Sequence, residues 1–183
     1  MNAKIDLTDI VLKTERLILR PFRLEDLDDF YQYASVPGVG EMAGWQHHQN
    51  KEESLIILNR FIEGKKTFAL EYDGKVIGSL GIENYDEELY PEFEDQVGRS
   101  IGYVLAKDYW GQGLMTEAVE AVVRYCFEDL DLDFLEAGYF SYNKKSARVL
   151  EKCGFLFYSK FNKMVLGKET EAIRLMLINT RLI

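Results

Sequence analysis

The stretch WGQGLM, residues 110–115, sets two glycines one residue apart between a strand-like segment, Ser100–Ala106, and a helix-like run. In that run Leu114, Ala118, Ala121, Val122, Tyr125 and Cys126 recur at spacings of three and four, the stripe of a helix that buries one face. At the mouth of such a helix the first N–H groups lack internal partners and carry the positive end of the helix dipole. They can therefore hold phosphate oxygens without a basic side chain. Gly111 and Gly113 also admit positive φ and a close-lying ligand, because neither has a Cβ. The same pair serves equally well as a tight strand-to-helix turn that binds nothing. Two nucleotide patterns are excluded: the chain has no GxxxxGK[ST], and Thr116 stands where GxGxxG needs its third glycine.

Outward from the glycines, Thr67–Tyr72 and Lys75–Ile82 are apolar-rich runs joined by Asp73-Gly74, a strong hairpin signal. Thr14–Arg20 predicts a strand ended by Pro21, followed by a helix with Leu24, Leu27, Phe30, Tyr31 and Ala34 on one face. Gly38-Val39-Gly40 follows a helix and Pro37 rather than a strand, so it predicts a loop, and Lys51–Glu63 predicts a second helix. Glu83 to Asp95 is a loop with seven acids and no Lys or Arg. Phe134–Ser141 predicts a strand and Asn143–Cys153 a helix closed by Gly154, with two terminal strands flanking Gly167-Lys168-Glu169-Thr170. Strand, glycine turn, helix, strand and helix after an antiparallel hairpin predict a mixed α/β sheet.

Composition narrows the function classes. The 183 residues suit one domain, and no apolar run nears the roughly 20 residues that cross a bilayer. The N-terminus lacks the apolar core of a secretory signal, so a cytoplasmic protein without membrane attachment is expected. A formal charge of −9 disfavours nucleic acid as a partner. Cys126 and Cys153 read as buried, reduced thiols, and His47 and His48 have no cysteine near them, so no metal is expected.

The ordered set Ser100–Leu105, Tyr109–Ala118, Asn143–Ser146 and Cys153–Phe155 resembles the GCN5-related N-acetyltransferases. With Thr14–Pro21, Gly44-Trp45 and His48 it is most similar to the RimJ/RimL group of ribosomal-protein N-terminal acetyltransferases, over roughly residues 12–178. The resemblance implies an α/β (α+β) fold: a mixed, mostly antiparallel, splayed sheet of about seven strands with helices on both faces. It also implies acetyl-CoA as co-substrate, lying where the fourth and fifth of those strands diverge. Tyr103, Val104 and Leu105 would then meet the pantetheine arm, and Trp110, Gly111, Gln112, Gly113, Leu114, Met115 and Thr116 the pyrophosphate. Asn143 would bond the pantetheine from the other side, although it reads equally as a helix N-cap. Met115 adds bulk beside the expected phosphates, and Leu150 stands where many relatives carry a tyrosine that protonates the leaving thiolate.

Acetyl transfer to an amine needs a neutral nucleophile, donors for the oxyanion and a proton for the departing thiolate. A strand amide near Val104 is the candidate oxyanion donor; the resemblance to the RimL-type pattern implies Ser146 as the proton donor and as one of the cofactor contacts. Glu83, at a strand end, is the candidate base and a candidate acceptor contact, and the resemblance implies Trp45 and His48 as further acceptor contacts. The implied acceptor is a peptide N-terminus or a small amine, and the implied assembly a monomer or homodimer. Small-molecule amine acetylation and a non-catalytic coenzyme A sensor are the competing readings.

Overall fold

The computed structural model describes residues 1–180. Eight strands form one sheet: β1 (Leu12–Lys13), β2 (Ile18–Pro21), β3 (Thr67–Tyr72), β4 (Lys75–Glu83), β5 (Gly98–Leu105), β6 (Phe134–Phe140), β7 (Leu156–Val165) and β8 (Lys168–Ile178), in the order β1-β2-β3-β4-β5-β6-β8-β7. Only β5 and β6 run parallel; every other neighbouring pair is antiparallel. The sheet thus has one strand more than expected, the two-residue β1.

Both tight hairpins turn through paired residues with positive φ, Asp73 (49°) with Gly74 (75°) and Leu166 (49°) with Gly167 (79°). That twist matches the twist of the flanking strands. Lys168, Glu169 and Thr170, expected in the second turn, are already in β8. Thr14–Leu17, expected as strand, forms a turn in which Thr14 N–H donates to the Leu17 carbonyl at 3.0 Å. Its polar groups serve Glu117, whose Oε1 accepts from the Thr14 hydroxyl and from Arg16 N–H, the latter at 2.8 Å. This ties the start of the fold to the helix after the glycine pair.

Four helices cover the sheet: α1 (Leu27–Ala34), α2 (Lys51–Gly64), α3 (Leu114–Glu128) and α4 (Lys144–Lys152). Strand β3 shows why its apolar run is unbroken: Phe68 and Leu70 enter the core with Val119 and Val122 of α3, while Ala69 faces the opposite cluster with Phe30 of α1 and Leu58 of α2. A strand covered on both faces has no polar side. Cys126 lies in the α3 core and Cys153 caps α4, and both thiols are free. Burial pushes each up to about 12, so both are protonated and inert near neutrality.

The feature that positions the site is a divergence inside the sheet. Strands β5 and β6 pair from Gly98 with Phe134 to Ile101 with Ala137 and no further. Beyond that point Gly102–Leu105 stays paired to β4, and 138–140 to β8. Two strand edges therefore face each other across a wedge, with main-chain groups free for a ligand.

Candidate active site

A cavity of about 320 Å³ occupies the wedge and runs to the mouth of α3. Tyr103, Val104 and Leu105 line it from β5, Trp110, Gly111 and Gly113 from the connecting turn, Leu114, Met115 and Thr116 from α3, and Asn143 and Ser146 from the start of α4. The chain folds this way because Gly111 and Gly113 take φ of 77° and 80°, which brings the turn sharply into the helix. Gly113 is the N-cap and offers no side-chain hydrogen bond. Glu117 N–H makes the bond to the Gly113 carbonyl that opens the helical ladder, so the amides of 114–116 precede it. A Cβ on Gly111 would meet nothing within 4 Å, which leaves the turn's inner surface open. The cradle fits a phosphate group.

Gln112 is an exception among the expected cofactor contacts. Its side chain donates to the Asp108 carbonyl at 3.1 Å, its own carbonyl accepts from Arg16, and it does not line the cavity. The Leu105 carbonyl accepts the Trp110 indole N–H at 2.8 Å, fixing the ring as one wall. Met115 is only 6% exposed and packs into the main core, so most of its bulk is absorbed there. Leu150 is fully buried and does not reach the cavity.

Basic side chains also line the cavity, a feature the net charge of the chain conceals. Lys145, Arg148 and Lys152 of α4 face it, and the Lys145 ammonium sits 4.2 Å from the centre of the Trp110 ring. Their spacing of three and four along one helix was a readable signal for a cationic stripe. The cradle therefore combines helix amides with cations.

At the cavity floor two hydroxyls meet. Tyr103 and Ser146 lie 2.9 Å apart, oxygen to oxygen, and the phenol also donates to the Ser146 carbonyl at 3.3 Å. Burial raises the Tyr103 pKa well above its ordinary 10, so it stays a donor. Reading β5 as a source of main-chain contacts alone overlooked this phenol; strand alternation, which turns Tyr103 towards α4, was the signal for it. Asn143 fills its capping role, accepting Ser146 N–H at 3.1 Å, and its amide donates to the Met42 carbonyl at 3.1 Å. Tyr142 binds the Glu41 carbonyl at 2.7 Å, so the 41–43 turn is fastened beside the wedge.

The three expected acceptor contacts are placed elsewhere. Glu83, expected as base and acceptor contact, pairs with Lys66 at 2.7 Å and lines neither this cavity nor the one beside it. Trp45 packs under Gly40 and against the α1/α2 core, and His48 shares a 2.7 Å hydrogen bond with Ser54. Burial lowers the His48 pKa, consistent with a neutral packed ring. Neither lines this cavity or the one beside it, because the end of the 38–48 loop folds back onto α1: His48 N–H bonds the Ala34 carbonyl at 2.9 Å. What does adjoin the wedge is a second cavity of about 280 Å³, sharing Met42, Ala43, Tyr103, Asn143 and Ser146 with the first. It is bordered by Glu136 and Gly138 of β6 and by Lys163 and Arg174 of the last two strands. Among the described residues no group of His, Cys, Asp and Glu has the arrangement of a metal site, and no helix is long and apolar enough to cross a membrane.

Known proteins share this fold and part of this sequence. The acetyltransferase (GNAT) domain pattern matches residues 16–156. The uncharacterized N-acetyltransferase p20 of Bacillus licheniformis is 32% identical over 152 residues, covering 79% of this chain and 81% of its own. The [ribosomal protein uS5]-alanine N-acetyltransferase of Escherichia coli is 28% identical over 116 residues, covering 62% of this chain and 54% of its own. The solved structure of RimL, a ribosomal L7/L12 alpha-N-protein acetyltransferase in complex with coenzyme A, superposes with a TM-score of 0.76 at 14% identity, covering 92% of this chain and 98% of its own. The chain belongs to the GNAT acetyltransferase family, an acyltransferase whose homologues include ribosomal-protein N-acetyltransferases.

Proposed function

We propose that the protein is a cytoplasmic enzyme that moves the acetyl group of acetyl-CoA to a primary amine, most closely a protein N-terminal amine. The observation that carries this reading is continuity: one cavity joins the open edge of β5, the Tyr103–Ser146 hydroxyl pair and the uncapped start of α3. Acetyl-CoA supplies the activated acyl group as a thioester. The amides of 114–116 hold its pyrophosphate, with Lys145, Arg148 and Lys152 adding charge, while the β5 edge pairs with the pantetheine. A main-chain N–H near Val104 faces the developing oxyanion, a role in which one preorganised donor is worth about 3 kcal/mol. Ser146 donates towards the departing sulfur, and Tyr103, kept protonated by burial, holds the serine in position. Leu150 is then no obstacle, since the hydroxyl donors come from β5 and the first turn of α4. The ribosomal acceptors of the relatives named above support a peptide N-terminus as acceptor.

Incubation with acetyl-CoA and an amine panel, following free thiol, tests the reading. We expect turnover with peptides that begin in a free amine. Thiol release no faster than solvent hydrolysis with every amine would refute it.

A further inference from the structure

The second cavity carries charges that the transfer chemistry leaves unassigned. In β6 and β8, Glu136 opposes Met176 and Gly138 opposes Arg174, so Glu136 and Arg174 rise from the same face of the sheet as diagonal neighbours. Both line the cavity, and both are partly buried. Among the described residues neither joins an ion pair within 4.0 Å, with each other or with any other group. Arg174 is fixed with its Cζ 3.7 Å from the centre of the Phe161 ring, a stacking that leaves the edge donors of the guanidinium free for an anion. Both groups act on one buried hydroxyl: burial raises the Tyr90 pKa, Glu136 adds to the rise by its charge and by hydrogen bonding, and Arg174 opposes it. Lys163, its ammonium 5.4 Å from the centre of the Phe140 ring, adds a second cation to the rim. Without an ion pair within 4.0 Å, this partly buried acid and base both keep charged edges towards the cavity. A ligand with the complementary pair of charges can meet both.

We propose that this cavity receives an amine that carries a carboxylate on the same molecule, the ammonium against Glu136 and the carboxylate against Arg174. Two sources share this chemistry: a free amino acid, and a peptide N-terminus followed by an acidic residue. The inference rests on the acetyl-transfer reading for the fate of the amine, and its test separates the two.

Calorimetry on the protein saturated with coenzyme A compares two size-matched pairs of probes whose members differ by one carboxylate: alanyl-aspartyl amide against alanyl-asparaginyl amide, and L-alanine against L-alaninamide. We expect the acidic member of one pair to bind about tenfold tighter, as a partly desolvated charge pair should. The pair that shows the preference identifies the source. Arg174→Gln should bring the ratio to about one, and Arg174→Lys should retain part of it, because the point charge survives without the planar fork. Each ratio is internal to one protein sample, so an inactive fraction does not affect it. A ratio within a factor of two of one for both pairs, or a preference that survives Arg174→Gln, overturns the inference. Turnover without charge preference overturns it alone; charge preference without turnover leaves it standing and counts against the transferase reading instead.

Discussion

Replacing Tyr103 by Phe removes one oxygen from the cavity floor and nothing else. In the native fold that oxygen lies 2.9 Å from Ser146 Oγ and 3.3 Å from the Ser146 carbonyl, and Ser146 is only 8% exposed. The variant leaves a buried hydroxyl without its partner, which should destabilise the fold by about 1–2 kcal/mol. The cost during turnover should be larger, because Ser146 then meets a developing thiolate. Hydrogen bonds to charged groups are worth about 1.5–3 kcal/mol, so losing the orienting phenol should lower kcat roughly 10- to 100-fold. Affinity for coenzyme A should change little, since phosphate and pantetheine contacts lie on other atoms. The assay is steady-state thiol release for Tyr103→Phe, Ser146→Ala and the double variant, with coenzyme A affinity measured by calorimetry. If the two hydroxyls act as one unit, the double variant is no slower than Ser146→Ala. A wild-type kcat in Tyr103→Phe, or strictly additive losses in the double variant, would refute the coupling. The pH dependence has a defined sign. Burial raises the Tyr103 pKa above its unfolded value of 10, so the fold retains a proton that the unfolded chain releases. Its contribution to stability is complete below pH 10 and declines above it, and no loss of rate below pH 10 should trace to this phenol.

Gly113→Glu should abolish coenzyme A binding in a folded protein, because it sets a carboxylate at the helix mouth and forces a side chain onto a φ of 80°; calorimetric affinity equal to wild type would place the diphosphate elsewhere. Arg148→Glu should weaken coenzyme A binding about tenfold at low salt, and the gap should narrow as ionic strength rises; a salt-independent gap would point to altered packing rather than to charge. Partial burial acts to raise the Glu41 pKa, yet hydrogen bonds from the His47 ring and from the His47 and Gly38 amides bring it to about 2. The carboxylate's stabilisation of the 38–47 loop should therefore be present above pH 4.5 and lost as pH falls towards 2. Thermal melts of wild type and Glu41→Gln should converge across that window, and parallel curves would show that the anion does not hold the loop.

Local patterns fixed most of the architecture, and long-range contacts decided the site. The glycine turn, the Asp73-Gly74 hairpin and the helical stripe of α3 depend on backbone conformations and spacings within about fifteen residues, so they could be read directly. Thr14–Leu17 could not: it runs straight into the apolar residues of β2, but its polar groups bond to Glu117, about a hundred positions away. Glu83 reads as a free strand-end acid until β3 brings Lys66 beside it. Trp45 and His48 carry the composition of a binding surface, yet a main-chain bond to Ala34 turns their loop inwards. Tyr103 was assigned for its backbone, while its side chain crosses to α4, a contact that exists only because β5 and β6 part after Ile101.

Under the acetyl-transfer reading, the same divergence explains how a chain with a charge of −9 can offer a site to an anion. At physiological ionic strength exposed charges are screened over about 8 Å, so the sum over the whole surface matters less than the groups inside that radius. Of the seven acids at 83–95, Glu83 ends β4 and the others lie between β4 and β5, and none of them lines the wedge. Lys145, Arg148 and Lys152 do line it, on α4 beyond the point where the strands separate, and the helix amides of α3 face the same space. Splitting the sheet therefore does two things at once. It frees main-chain donors that paired strands would have consumed, and it admits a helix whose cations reach the opening. An acidic surface and an anion cradle coexist because the fold keeps them on different structural elements, so lowering the net charge elsewhere would change approach rates more than affinity at the cradle itself.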